Sequence, residues 1–169
     1  MSKACYAVAL GSNRSHHLHG PPRRVLEAAF SELNKGGLHL CARSKIIASP
    51  PLGPSRRTFA NAAALVETGL PPPALLKRLK EIEADFGKRA GQRWGARTLD
   101  LDIVLWSGGL WSDRSLTIPH PSFRERNFVL APLTQIAPRW RDPVTSLTIW
   151  QLHMRLKKPK PVDRRPKPD

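Results

Sequence analysis

The sequence predicts an α+β fold, a mostly antiparallel sheet with helices packed on its faces, and three observations carry that prediction. Apolar runs short enough for strands alternate with apolar stripes at three- and four-residue spacing, so strands and helices are interleaved. Their order is strand, helix, strand, strand, helix, strand, which is a split βαβ arrangement. With 169 residues, 40% of them hydrophobic and 24% charged, the chain has the size and composition of one soluble globular core.

Residues 3–10, "KACYAVAL", form a buried strand that the turn cluster Gly11-Ser12-Asn13 ends. From 22 to 35, Val25, Leu26, Ala29, Phe30 and Leu33 recur at helical spacing, and Gly36-Gly37 stops the helix. "LHLCARSKIIAS" (38–49) reads as a second strand. "PPLGPSRR" (50–57) is a loop, because three prolines and a glycine leave too few backbone donors for a ladder. "TFANAAALVET" (58–68) mixes helix-favouring alanines with strand-like length; read as a strand, it places Phe59, Asn61, Ala63 and Leu65 on one face. Pro71-Pro72-Pro73 starts a helix whose stripe is Leu75, Leu79, Ile82 and Phe86, with Glu83 on its edge and Gly87 at its end.

The basic loop "KRAGQRWGAR" (88–97) then feeds a strand, "TLDLDIVLW", with Leu99, Leu101, Ile103 and Leu105 on one face and Asp100, Asp102, Val104 and Trp106 on the other. This order is that of ferredoxin-like sandwiches, with the two helices over one sheet face. "GGLWSDRSLTIPHP" reads as a hairpin, and two short helices near 122–137 and 145–156 extend the arrangement.

Residues 157–169 carry six Lys/Arg, two Asp and four prolines, a basic appendage unable to build a core; residues 1–156 are then the folded domain. The tail supplies +4 of the formal charge of +15, so the domain itself is basic and suited to an anionic ligand. No apolar run approaches the roughly 18 residues of a membrane span. The start is too interrupted for a secretory signal, so the expected location is cytoplasmic. Cys5 and Cys41 lie in strand-like runs and are expected as small buried thiols, with neither a disulfide nor a metal between them.

Asp100 and Asp102 carry the chemistry. Alternation puts both carboxylates on one side of a strand, roughly 6.5–7 Å apart at the backbone, and two like charges so placed call for cations. An all-oxygen pair suits Mg²⁺, which takes one or two carboxylates and completes its shell with water and phosphate oxygens. Taken alone, the pair could equally be a solvent-facing strand edge that discourages pairing. Arg93, Arg97, Arg124 and Arg126 offer the forked donors that grip polyphosphates. His120, fixed between prolines and followed by two arginines, is either a phosphate donor or structural. His16, His17 and His19 read as a solvated loop. The chain has no phosphate-binding Gly-rich loop, and its cysteines lack the setting of a nucleophile. A basic split βαβ sheet could also bind RNA, but the paired strand aromatics of such modules are missing and the aspartates would repel a phosphate backbone.

The blocks "ALGSN", "SPPLG", "FANAA", "RWGARTLDLDIVLW" and "IPHPSFRERNFVLAPL", in that order from about residue 4 to 138, resemble the 6-hydroxymethyl-7,8-dihydropterin pyrophosphokinases of folate biosynthesis. The resemblance implies a catalytic domain that transfers diphosphate from ATP to the pterin hydroxymethyl oxygen with two Mg²⁺, releasing AMP. With no membrane-length apolar run and no RNA-binding aromatics, neither a membrane nor a specific nucleic acid is expected as a partner, and a monomer is expected. By position, Asp100 and Asp102 match the metal ligands, while Arg97 and Arg93 match catalytic-loop arginines. Glu83, Lys88, Arg93, Arg97, Ile103, His120 and Arg126 fall on ATP contacts. Ser49, Pro50, Leu52, Phe59, Asn61, Trp94 and Phe128 fall on pterin contacts, Phe59 and Phe128 as the two rings that sandwich it. The glycines at 87, 91 and 95 would let the loop close as a lid. Lys88 stands where relatives commonly have arginine, Phe59 where they often have tyrosine, Ser49 where they have threonine, and Pro121 where some carry an aromatic.

Overall fold

The structure, a computed structural model, describes residues 3–50, 58–87 and 98–158. Its main sheet has the strands β1 (Ala4–Ser12), β2 (His39–Arg43), β3 (Ile47–Ser49), β4 (Phe59–Thr68) and β5 (Asp100–Trp106). Helix α1 (Pro22–Glu32) follows β1 and α2 (Pro72–Gly87) follows β4. After β5 come the hairpin strands β6 (Trp111–Ser112) and β7 (Thr117–Ile118), a 3-10 turn at Phe123–Glu125, and the helices α3 (Asn127–Ile136) and α4 (Ile149–Lys157).

The sheet order is β2-β4-β1-β5, with β3 beside β4 in line with β2, and every pairing is antiparallel. β1 therefore separates β4 from β5, as a split βαβ fold requires. Period-two alternation sends Ala62, Ala64 and Val66 of β4 to one face, under Val25, Leu26 and Phe30 of α1 and Leu75 and Leu79 of α2. Ala63 goes to the other face, with Ala7, under Leu130 and Leu133 of α3 and Ile149 and Leu152 of α4. The two late helices thus build a second core on the opposite face of the sheet from α1 and α2.

The expected strand 38–49 is two strands. At the break, Ser44 N–H donates to the Ala63 carbonyl (2.9 Å) and the Ser44 hydroxyl accepts from Ala63 N–H (2.9 Å), so a side chain replaces part of the ladder. Cys41 is the unpaired residue of a bulge between Leu40 and Ala42; this turns its thiol to solvent, not into the core, while Cys5 is half-buried. β1 runs on through Gly11 and Ser12, which pair with Asn61 and Ala60 instead of turning.

In β5, Ala7 pairs with Leu105 and Val8 with Ile103, leaving Val104 as the extra residue of a second bulge. Beyond it the alternation flips. Leu105 joins the second core with Val104, and Trp106 crosses to the first, stacked on Tyr6 with ring centroids 6.2 Å apart. The expected common face for Leu101, Ile103 and Leu105 therefore holds only as far as Ile103.

His16 departs from a solvated loop. Its ring is buried between His17 and His19 (4.4 and 4.7 Å) and against Phe86 (5.9 Å), and its Nδ1 accepts from the Leu18 and His19 amides. Lys157, assigned to the tail by composition, is the last residue of α4. Residues 159–169 lie outside the described residues. Among the described residues no helix is long and apolar enough to cross a membrane.

Candidate active site

The site lies on the second sheet face, where β3, β4, β1 and β5 present residues in register and the start of α3 covers them. Ser49 pairs with Phe59; Asn61 is opposite Gly11, and Gly11 opposite Asp100; Ala63 is opposite Ala9, and Ala9 opposite Asp102. Directly opposed residues share a face, so the rows read Asn61-Gly11-Asp100 and Ala63-Ala9-Asp102 across three strands. The middle position of each row is a glycine or an alanine. The missing side-chain volume leaves a cleft of about 180 Å³ bordered by Asn61 on β4 and by Asp100 and Asp102 on β5.

Ser49, Pro50, Phe59, Asn61, Asp100, Asp102, Arg126 and Phe128 line that cleft together, with Ala9, Leu10, Gly11 and Val129. These last four were not anticipated from the sequence. Ala9, Leu10 and Gly11 fall in the "ALGSN" block, whose Gly11-Ser12-Asn13 has the composition of a turn, and small residues in a strand otherwise look like core filler. The Asn61 amide donates from Nδ2 to the Ser49 hydroxyl (2.6 Å), which fixes its orientation and turns its oxygen toward Gly11. The Arg126 guanidinium lies 5.9 Å from the centroid of the Phe128 ring, so the cation and the aromatic reach the cleft as one unit.

Three expected residues are not among those that line the cleft. Glu83 is buried on α2, where its Oε1 accepts from Leu101 N–H at 2.6 Å and from Lys80 Nζ at 2.7 Å. β5 is an edge strand, and this carboxylate occupies its open edge between the two aspartates. Ile103 is buried in the first core. His120 is half-buried; its amide donates to the carbonyl of the bulged Val104 (3.0 Å) and its Nδ1 accepts from Ser122 N–H (3.2 Å). Burial lowers its pKa, Asp102 partly offsets that and Arg126 reinforces it. A neutral imidazole with Nδ1 accepting carries its proton on Nε2, available as a donor.

Arg124 does not reach for a phosphate. Its Nε and Nη2 donate to Asp142 Oδ2 and Oδ1 at 2.6 and 2.7 Å, a bidentate pair whose carboxylate is fully buried. Leu52, Lys88, Arg93, Trp94 and Arg97, and with them the expected lid, lie outside the described residues.

Among the described residues no group of three or more His, Cys, Asp or Glu side chains could enclose a metal ion. A pair of carboxylates on a cleft wall is nonetheless the donor set that Mg²⁺ takes when a phosphate supplies its remaining ligands. The residues present therefore fit a phosphate-bound Mg²⁺.

A family model described as 7,8-dihydro-6-hydroxymethylpterin-pyrophosphokinase (HPPK) matches residues 7–138. Among similar curated proteins, the 2-amino-4-hydroxy-6-hydroxymethyldihydropteridine pyrophosphokinase of Synechocystis is 38% identical, over 86% of this chain and 72% of its own length. The Haemophilus influenzae protein of the same name is 40% identical, over 77% of this chain and 79% of its own. Solved structures with the same fold include wild-type Plasmodium falciparum HPPK-DHPS (TM-score 0.72, 14% identity, 91% of this chain). A second HPPK-DHPS, solved in complex with substrates, has a TM-score of 0.73 at 13% identity over 92% of this chain. The chain spans less than half of each of those longer structures, 45% and 43%.

Proposed function

This chain belongs to the 7,8-dihydro-6-hydroxymethylpterin-pyrophosphokinase family, and from that membership we propose that it transfers diphosphate from ATP to the hydroxymethyl oxygen of 6-hydroxymethyl-7,8-dihydropterin, releasing AMP. One observation carries the reading beyond the family name: a single cleft is lined by two aromatic rings, a fixed amide, two carboxylates and a guanidinium, with Phe59 and Asn61 on β4, both carboxylates on β5, and β1 between them. The rings and the amide suit a flat heterocycle, Phe59 and Phe128 for its faces and Asn61 for its edge. The carboxylates and the guanidinium suit a metal-bound polyphosphate.

In this reading the substrate hydroxyl oxygen attacks the β-phosphorus of ATP in line, a P–O bond forms, and the bond to the α-phosphate oxygen breaks to leave AMP. Asp100 and Asp102 would hold two Mg²⁺, which neutralise phosphate charge and favour loss of the hydroxyl proton when bound. Arg126 meets negative charge on the phosphates, and His120, neutral with Nε2–H available, donates a hydrogen bond there. Ser49 and Pro50 border the ring pocket, and Ile103 offers its backbone to the nucleotide. Glu83 supports the nucleotide side of the site through β5. Leu52 and Trp94 complete the pterin site; Lys88, Arg93 and Arg97 complete the phosphate site. Catalysis rests on positioning and electrostatics, since no described side chain is placed as an evident base for the hydroxyl. The catalytic domain runs to the end of α4 at Lys157 and acts as a cytoplasmic monomer, with a basic tail behind it.

The deciding experiment measures AMP formation from ATP with and without hydroxymethyl-dihydropterin and Mg²⁺. Release that requires all three components is the expected result. Release independent of the pterin, or none with all three present, overturns the reading.

A further inference from the structure

Arg126 and Phe128 reach the cleft from the junction of the 3-10 turn and α3, where the Arg126 amide donates to the Phe123 carbonyl (3.3 Å) and the Arg126 carbonyl accepts from Val129 and Leu130 N–H. Arg126 is extended (φ −107°, ψ 101°) between the 3-10 turn and α3, and no side chain caps the start of that helix. The residues flanking it are also tied to the C-terminal segment, beyond the 7–138 span that the family model matches. Two residues before Arg126, Arg124 makes its bidentate pair with Asp142. One residue after it, Asn127 Oδ1 accepts from His153 Nε2–H at 2.9 Å.

Both anchors are built into the interior. Asp142 is fully buried and also accepts from the Thr145 hydroxyl (2.6 Å) and the Val144 amide (3.1 Å), so both carboxylate oxygens have donors. Burial alone would raise its pKa, but the bonds from Arg124, Thr145 and Val144 outweigh that and hold it below the ordinary carboxylate range. The Arg124 guanidinium lies 4.8 Å from the centroid of the buried Phe123 ring. His153 is buried next to Leu152, on the helix that packs against α3. Neither Asp142 nor His153 lines the cleft.

We propose that Asp142 and His153 are positioning residues, a two-point clamp that holds Arg126 and Phe128 in binding geometry before either substrate arrives. The inference rests on the reading of Arg126 as a phosphate contact and Phe128 as a pterin-stacking ring. A segment fixed on both sides has little freedom left to lose on binding, so the clamp lowers the entropic cost of engaging both ligands.

The test uses the full chain. Asn127→Ala and His153→Leu each remove one anchor, His153→Gln keeps a donor, and Asp142→Asn weakens the other anchor. Amide hydrogen exchange is read without ligand at Val129 and Leu130, whose N–H groups both donate to the Arg126 carbonyl at 3.0 Å. Titrations with ATP and with hydroxymethyl-dihydropterin read the site. In N127A and H153L those two amides should exchange at least about tenfold faster. Both dissociation constants should rise about tenfold, the double variant should be no worse than either single one, and H153Q should recover most of the loss. Unchanged exchange at Val129 and Leu130, or faster exchange with wild-type affinities, overturns the clamp. If the wild-type chain itself binds no pterin, the reading of the site fails, and exchange alone then decides the clamp. Asn127 is exposed, so N127A keeps the test decisive should D142N fail to fold.

Discussion

Asp102 sits opposite Ala9 in the β1–β5 pairing, and the contrast between a carboxylate and a methyl group in one row defines the site at the scale of single residues. Replacing Asp102 by Asn keeps the shape and removes the charge. Turnover should fall about a hundredfold or more, as when one preorganised electrostatic group is lost, while the melting temperature stays within a few degrees of wild type. Kinetics and thermal unfolding of the same preparation check both halves; near-normal AMP production by D102N would remove the metal assignment. Ala9 makes the complementary case. Ala9→Leu would fill the floor between Ala63 and Asp102 without touching a charge. Pterin affinity should drop about tenfold or more, roughly 1.4 kcal/mol, with the fold retained, and fluorescence titration of the pterin reads it. The aspartates were legible in the sequence because charge in a strand is conspicuous. Ala9 was not, because an alanine in a strand looks the same under a helix or under a ligand, and only the position at which α3 begins separates the two.

At the scale of elements, period two and period 3.6 placed both long helices and the strands around them, since those periods come from backbone geometry. They failed where a strand breaks its own period. The bulge at Val104 inverts the faces of Leu105 and Trp106, and the Ser44 interruption splits one expected strand in two. Each depends on a partner strand far away in sequence. The open edge of β5 is a similar case. Glu83 read as a stripe-edge residue, but it is buried and bonded to the amide between the two aspartates. Glu83→Ala would leave that amide without its partner, and stability measured by urea unfolding should drop about 1–3 kcal/mol. Glu83→Gln keeps an acceptor and loses mainly the ion pair with half-exposed Lys80, a change of less than about 1 kcal/mol. Equal losses in the two variants would mean that the Leu101 amide does not depend on this side chain.

For the whole molecule, the sheet is covered on both faces, and the second core is closed by a segment the sequence described poorly. Arg124 and Asp142 are 18 residues apart, and nothing local marks them as partners; Arg124 looked like one more phosphate-binding arginine. Their pairing makes stability depend on pH in a definite direction. The Asp142 carboxyl is held below its ordinary value of about 3.9, so the folded state releases this proton more readily than the unfolded chain does. The stabilisation is fully present above the unfolded value and is lost as the pH falls through the lower folded one. Asp142→Asn removes that titration and opposes a largely buried guanidinium with a neutral amide. Near neutral pH it should cost about 3 kcal/mol, the lower end for breaking a buried pair, because Arg124 keeps some contact with water. As the pH falls below the unfolded value of about 3.9 the wild type should progressively lose this advantage, so the gap between the two unfolding curves narrows. The other carboxylates titrate in both proteins and cancel in the difference. Urea unfolding of both at pH 7, 5 and 3 makes the comparison, and a stability gap that stays constant over that range would mean that Asp142 is not the charged anchor of the C-terminal segment.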